Sequence, residues 1–198
     1  WMGFGGSQLM DWIGHHGDIA HMGMGWDHTG PVGIEPVRWE LPENSNLYDA
    51  PKQYLFHATY ADGVTMTVGS MQSMPDVFRS CGDTGTQWFG EDGQWIFVSR
   101  GGIKTHPASL AGITPGGNDY RFRREGNHVT DWLNCIRTRR RPIAHAEAGH
   151  RSASLGHVGM IACTLGQSLT WDPATEHFTN SDMANRMRSR PNRGEWAL

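Results

Sequence analysis

The feature that most constrains the fold is a glycine pair, Gly5-Gly6, that runs directly into a segment with helical periodicity. In this segment Asp11, His15 and Asp18 recur at intervals of four and three residues, so an α-helix places them on one face. The side chains that fall largely on the other face are suited to burial against a sheet, and they are Leu9, Trp12, Ile13, His16, Ile19 and Ala20. The pattern predicts one helix over residues 7–24, with a polar stripe on an apolar back.

The polar stripe has the composition of a proton-transfer site beside a ligand. Imidazole exchanges a proton near neutral pH, and a neighbouring carboxylate can orient it. Structural roles stay open: His15 can bond a backbone carbonyl, Asp11 can be a first-turn acid favoured by the helix dipole, and Asp18 can hold the His15 ring. A metal site is an alternative, in which His15, His21 and Asp11 bind a divalent ion. The histidines follow no single helical face, so the sequence favours a site without metal.

Length, charge and composition limit the classes of protein to which this chain can belong. A chain of 198 residues can bury a core as one domain. The net charge of -3 gives no reason to expect a nucleic-acid partner. No apolar run approaches the roughly 18–20 residues that span a bilayer, and no signal-peptide pattern is visible, so we expect a soluble cytoplasmic or periplasmic protein without a membrane partner. The cysteines are too few and scattered for a disulfide framework; they are Cys81, Cys135 and Cys163.

The rest of the chain has the pattern of an α+β domain with hairpin-paired strands. Asp-Gly turns at residues 62–63 and 92–93 separate alternating segments and predict antiparallel pairing. We therefore expect a largely antiparallel open sheet with helices packed on one face, in a single domain over residues 1–198. After the first helix, the expected parts are a sheet region over 32–100 with strands at 32–37, 54–60, 64–69, 86–89 and 94–99, an irregular stretch over 101–127, closing helices at 127–138 and 146–165, and a tail over 179–198.

One face of this sheet is expected to be crowded with large apolar side chains, namely Phe56, Tyr60, Met66, Trp88, Trp95 and Phe97. If that face is exposed, it is a surface for association with a second copy, and the chain forms a homo-oligomer through it. The alternative is that the face packs on helices of the same chain.

Two blocks of this sequence resemble the Gfo/Idh/MocA oxidoreductases, named after glucose-fructose oxidoreductase and inositol dehydrogenase. Members of that family open their C-terminal domain with a helix reading roughly Gly-Gly-x-x-x-x-Asp-x-x-x-His-x-x-Asp, and residues 5–18 carry this pattern without a gap. The second block is similar to the C-terminal half of a bacterial, planctomycete-like branch; it comprises residues 128–137, 141–144, 149–154, 171–173 and 184–185. The resemblance covers essentially the whole chain and implies the fold of that C-terminal domain.

The resemblance implies an NAD(P)-dependent oxidoreductase acting on a sugar or glycoside hydroxyl. It makes His15 the acid/base beside the hydroxyl, Asp11 its orienting group or a second ligand of the hydroxyl, and Asp18 a supporting carboxylate. Such enzymes hold the dinucleotide in a Rossmann domain with a glycine-rich first turn. This sequence contains no strand–GxGxxG–helix unit, so we expect that the chain alone does not bind NAD or NADP, and that it is part of a longer enzyme or a relative without hydride chemistry.

Two other functions stay open at this point. One is a redox-independent lyase or hydrolase acting on an oxidised (3-keto) sugar, with or without a metal ion to stabilise the enolate. The other is a non-catalytic binding or oligomerisation module. Further candidates for substrate contact are Trp12, which could stack on a sugar ring, Lys104 and His106 in a Gly/Pro-rich loop, and Arg151, which could bind a carboxylate or hold a loop.

Overall fold

A computed structural model describes residues 1–43, 47–79, 81, 84–117, 119, 123, 126–190 and 192–196. The α-helices are α1 Met2–Gly5, α2 Ser7–Trp12, α3 Asp18–Met24, α4 Asp76–Arg79, α5 His128–Thr138, α6 Ala146–Leu165 and α7 Asp182–Arg186. The strands are β1 Gly33–Glu40, β2 Gln53–Thr59, β3 Thr65–Gly69, β4 Thr86–Phe89, β5 Trp95–Ser99, β6 Gly102–His106, β7 Leu169–Asp172 and β8 His177–Phe178. Short 3-10 turns lie at Glu91–Gly93, Ala108–Gly112 and Gly194–Trp196.

The predicted helix over residues 7–24 is confirmed, but it is not a regular α-helix. A π-helical turn at Ile13–Gly17 joins α2 to α3, and the Asp18 amide reaches back to the carbonyl of Ile13. A π turn holds one residue more than an α turn, so the residues after it are rotated by about 100° from their regular positions. The face predicted from regular spacing is therefore split: Asp11 lies before the extra residue and Asp18 after it.

The expected α+β fold with antiparallel strands is confirmed, and its strands are divided between two sheets. The larger sheet has the order β3-β2-β1-β7-β8, and the smaller has the order β4-β5-β6. The smaller sheet meets the first helix, because the Thr86 hydroxyl donates to the His16 carbonyl at 2.7 Å and the Trp88 ring packs where Gly23 leaves room for it. Contacts of this kind join residues distant in sequence, and the local patterns that predicted the hairpins do not encode them.

The expectation for the strands also needs correction at three places. Strand β1 is longer than the predicted 32–37 and passes through Pro36, where the pairing register with β2 shifts, as is usual for a proline inside a strand. Strand β6 lies in the stretch 101–127 that was expected to be irregular. The short strands β7 and β8 were not predicted at all.

Helix α6 packs across the larger sheet and forms the centre of the core. The Phe56 ring is fully buried against Gly159, where an added methyl group would lie 2.3 Å from a ring atom. Both closing helices match their predicted ranges, and each has an N-cap side chain: Asn127 for α5 and His145 for α6. The buried side chains of this core include Leu9, Ile13, Ile34, Phe56, Ala58, Leu155, Val158, Ile161, Leu169 and Phe178.

The predicted apolar face is buried only in part. Phe56, Tyr60 and Phe97 are at most 2% exposed and pack within the chain, whereas Met66, Trp88 and Trp95 are half-buried. The opposite face of the larger sheet is polar, because the strand register aligns Glu35, His57 and Thr67 across β1, β2 and β3. Association with a second copy stays a proposal, and on the larger sheet it would have to use this polar face.

Two negative findings concern the described part of the chain. None of its helices has both the length and the apolar character needed to cross a membrane. The three cysteines are buried free thiols.

Candidate functional site

The helix formed by α2, the π turn and α3 presents Asp11 and His15 to solvent. Both side chains are exposed, whereas Leu9 and Ile13 on the opposite side are at most 5% exposed. Nothing in the core requires a histidine or an aspartate at these two positions. Asp18 is different, because it is half-buried and accepts a hydrogen bond of 2.7 Å from the Ser152 hydroxyl on α6. The structure therefore leaves Asp11 and His15 available for chemistry and uses Asp18 as an anchor.

Trp12 connects the exposed histidine to the rest of the fold. Its ring meets the His15 ring edge-on with centroids 5.8 Å apart, and it stacks on the His16 ring at 5.3 Å. The Arg100 guanidinium lies 5.3 Å from the Trp12 ring centroid, at cation–π distance. Arg100 belongs to the two-residue turn between β5 and β6, so the tip of this hairpin reaches the first helix. Trp12 is thus held by these neighbours and positions His15.

A cavity of about 1190 Å³ opens on the other side of the same helix. Trp12 and His16 form part of its wall, together with other residues of the first helix, β3, the segment 70–78 after it, and the smaller sheet. Asp11, His15 and Asp18 do not line it. The first helix therefore separates the exposed acid/base pair from the cavity, and Trp12 borders both.

His21 is fully buried and has a structural environment. Its Nε2 atom shares a hydrogen bond of 2.6 Å with the Tyr60 hydroxyl, and the Tyr60 ring stacks on Trp26 at 3.6 Å. Burial lowers the pKa of His21 to about 4, although the carboxylates of Asp18 and Asp27 oppose this shift. The ring is therefore neutral at physiological pH.

The described structure does not bring together His15, His21 and Asp11, the residues of the alternative metal site. Among the described residues, no three His, Cys, Asp or Glu side chains come together in a way that could hold a metal ion. His21 lies in the core with Tyr60, while Asp11 and His15 face solvent.

Lys104 and His106 lie on strand β6, not in a loop as the sequence suggested. The Lys104 ammonium donates to the Cys81 carbonyl at 2.8 Å, and the His106 ring stacks on Trp95 at 6.1 Å. These contacts stabilise the smaller sheet and its connection to residue 81. The structure thus gives both side chains partners away from His15.

Arg151 is occupied by intramolecular contacts. Its guanidinium pairs with Glu147 at 2.8 Å and with Glu176 at 3.3 Å, and it donates to the Pro173 carbonyl at 2.7 Å. These contacts tie α6 to the turn between β7 and β8. The sequence left open binding a carboxylate or holding a loop; the contacts of Arg151 are with carboxylates and a carbonyl of the chain itself, and substrate binding by Arg151 stays a prediction.

Sequence reasoning missed Arg100 beside the exposed site and Gln87 in the separate cavity. Arg100 contacts Trp12, and Gln87 lines the cavity. The only signal for Arg100 was its place before Gly101 in a hairpin turn, and Gln87 is a polar residue directly before two aromatic ones.

Comparison with known proteins gives two similarities. Residues 120–198 match the family model described as the oxidoreductase family C-terminal alpha/beta domain. A solved oxidoreductase from Agrobacterium radiobacter, in complex with NAD+, L-tartaric acid and magnesium, aligns at 11% identity with a TM-score of 0.41. The alignment covers 77% of this chain and 46% of that one, so this chain spans about half the length of that oxidoreductase. No curated protein matches the chain.

The matched residues contain α5, α6, β7, β8 and α7 but not the first helix with Asp11 and His15. Over residues 120–198 the chain is therefore similar to the C-terminal domain of an oxidoreductase family, which supports a general role as a domain of an oxidoreductase.

Proposed function

We propose that this chain is the substrate-facing, proton-transferring part of an NAD(P)-dependent oxidoreductase that acts on a sugar or glycoside hydroxyl. The observation that carries the proposal is the exposed pair Asp11 and His15 on a helix whose other side is buried. The similarity of residues 120–198 to an oxidoreductase domain supports the reaction class.

His15 is the proposed base. Oxidation of an alcohol removes a proton from the hydroxyl oxygen and a hydride from the carbon, and imidazole is suited to accept that proton near neutral pH. Asp11 is four residues before His15 and is proposed to orient its ring or to bind the same hydroxyl. Trp12 is a positioning residue, because it contacts the His15 ring and is itself held by Arg100.

The described residues do not fit a dinucleotide. Every strand pair among them is antiparallel, whereas the unit that binds NAD or NADP combines parallel strands with a glycine-rich turn at a helix N-terminus. The proposed role of these residues is therefore confined to binding the hydroxyl and holding its proton.

The test uses the purified chain labelled with ¹³C at histidine Cε1. A panel of monosaccharides and methyl glycosides is titrated, and the His15 signal, assigned with His15→Ala, is followed by NMR. We expect at least one sugar to shift this signal saturably and to leave that of the exposed His128 unchanged. A His15 signal that no sugar moves would contradict the proposal.

Turnover is measured in parallel. The chain alone is tested with 3-keto sugars in the absence of nucleotide, and reduction of NAD+ or NADP+ is tested in an enzyme form that also carries a dinucleotide-binding domain. Nucleotide reduction that falls at least 10²-fold in His15→Ala and stays unchanged in His128→Ala supports the proposal. Conversion of a 3-keto sugar without nucleotide would replace it by the lyase function. Binding without conversion in either assay would leave a sugar-binding module.

A further inference from the structure

The cavity beside the first helix is large for a gap between packed elements. Its volume of about 1190 Å³ exceeds the roughly 300–1,000 Å³ of pockets that take drug-sized ligands. It lies between the first helix, strand β3 at the edge of the larger sheet, and strand β4 at the edge of the smaller sheet. A space of this size in a well-packed domain is a candidate for a ligand.

Aromatic and sulfur-containing side chains form a substantial part of the cavity wall, beside polar Gln, Thr and Ser side chains. Flat rings of Trp12, Trp88 and Trp95 line it, and Met66 and Met74 supply flexible thioethers. Aromatic rings favour contact with other rings, and methionine adapts its shape to an apolar ligand. The lining therefore favours a planar apolar group.

The charge of the cavity lining limits the charge that a ligand can carry. Lys52 is a cation in this wall, and no aspartate or glutamate of the described chain lines the cavity. A cationic ligand would find no counter-ion among these residues. The cavity suits a neutral or singly negative molecule.

Gln87 supplies a second, independent observation. It lies on β4 and lines the cavity, and its side-chain oxygen and nitrogen are both withdrawn from solvent. Neither atom has a hydrogen-bond partner among the described residues. A buried amide without partners costs free energy, and a ligand that offers both a donor and an acceptor would recover this cost.

We propose that this cavity binds a small, uncharged or singly negative aromatic molecule, and that the Gln87 amide bonds a polar group attached to its ring. The occupant is a planar ring with a donor and an acceptor side by side, such as an aromatic carboxamide. The site is distinct from the exposed face of Asp11 and His15, and it does not depend on the function proposed above.

Benzamide is the probe for this site. In the ¹⁵N-labelled full chain, the indole N–H signals of Trp12, Trp88 and Trp95 should shift saturably as benzamide is added. The signal of Trp171, which is buried on β7 and does not line the cavity, should stay in place. Shifts absent up to about 10 mM benzamide, or equal shifts at Trp171, would overturn the proposal. This comparison needs no variant.

Gln87→Leu tests the amide. We expect benzamide to bind at least tenfold more weakly to Gln87→Leu, while the matched change Gln167→Leu at an exposed position outside the cavity leaves binding unchanged. If benzamide binding were weakened equally in both variants, or were unchanged in both, Gln87 would not be part of the site.

Two further ligands test the chemistry of the occupant. Cyclohexanecarboxamide has the same polar group on a non-planar ring, and D-glucose has no apolar ring; both should bind at least tenfold more weakly than benzamide. If either bound as tightly, the site would not select an aromatic ring. Benzamide binding in a protein that fails every sugar assay would leave this proposal standing and remove only the proposed function.

Discussion

The Arg100 guanidinium lies 5.3 Å from the centre of the Trp12 ring, and that ring meets His15 edge-on at 5.8 Å. A hairpin turn thus supports a helix that carries a candidate catalytic residue. Because Arg100 is exposed and contacts this ring, its role can be tested by substitution.

Replacing Arg100 by alanine should lower the free energy of unfolding by about 0.5–1 kcal/mol, the usual size of an exposed cation–π contact. The Trp12 ring should then be less ordered, and sugar-induced shifts at His15 should weaken. Urea unfolding and the His15 titration measure the two effects. Arg193→Ala removes an exposed arginine elsewhere and should change neither. Unaltered sugar binding in Arg100→Ala would show that Trp12 does not depend on this contact.

Two glycines of helix α6 should respond oppositely to alanine. At Gly159 a methyl group would lie 2.3 Å from the Phe56 ring, so Gly159→Ala should destabilise the protein by about 1–3 kcal/mol through overpacking. At Gly149 nothing lies within 4 Å, and Gly149→Ala should stabilise the helix by roughly 0.5–1 kcal/mol. Thermal and urea unfolding of both variants give the comparison. Equal effects would mean that α6 does not pack on the sheet as described.

His21 should make the protein sensitive to acid. Burial lowers its pKa from 6.5 to about 4, so the unfolded chain binds a proton in this range that the folded chain does not. Stability should therefore fall as the pH drops from about 6.5 toward about 4, by about 3 kcal/mol over the whole window.

Urea unfolding at several pH values between 7 and 4 measures the acid sensitivity. The variant His21→Gln lacks the titrating group and should show a smaller loss over the same window, even if it is less stable at pH 7. An identical pH slope in the two proteins would assign the acid sensitivity to other groups.

Substitution of Asp18 should lower the stability of the protein, whereas substitution of His15 should lower its turnover. Asp18 accepts a hydrogen bond from the buried Ser152 hydroxyl, and Asp18→Asn keeps an acceptor oxygen for it. Asp18→Ala and Ser152→Ala should each lower stability by about 1–2 kcal/mol. Sugar-induced shifts at His15 should survive in these variants. His15→Ala should leave the melting temperature within about 2 °C of the wild type and lower turnover at least 10²-fold. A stable Asp18→Asn protein without turnover would make Asp18 part of the chemistry.

Local patterns predicted much of the helical structure. The ranges predicted for α5 and α6 lie within a residue or two of those observed, and the structure adds their N-cap side chains, Asn127 and His145. The Asp-Gly turns located the hairpins, because turn chemistry is local. The division into two sheets was not predictable, since it depends on contacts such as Thr86 with His16 between distant parts of the chain.

The candidate site was predicted in part. The spacing of Asp11 and His15 predicts one shared face, and both side chains are exposed. The spacing was not enough to place Asp18, because no residue type signals the π turn that rotates Asp18 toward α6. Arg100 reaches Trp12, and Gln87 reaches the cavity, through tertiary packing, which a single sequence does not reveal.

The π turn divides the first helix into two units that can vary separately. Before Gly14, Asp11 is exposed and Trp12 contacts the hairpin tip. After Gly17, Asp18 accepts a hydrogen bond from Ser152 of α6 and His21 lies in the core. Deletion of the one additional residue would restore a regular α-helix. The segment after the turn would then be rotated by about 100° about the helix axis, relative to the segment before it. A relative that lacks one residue of this turn could have otherwise the same sequence and would still present a different surface.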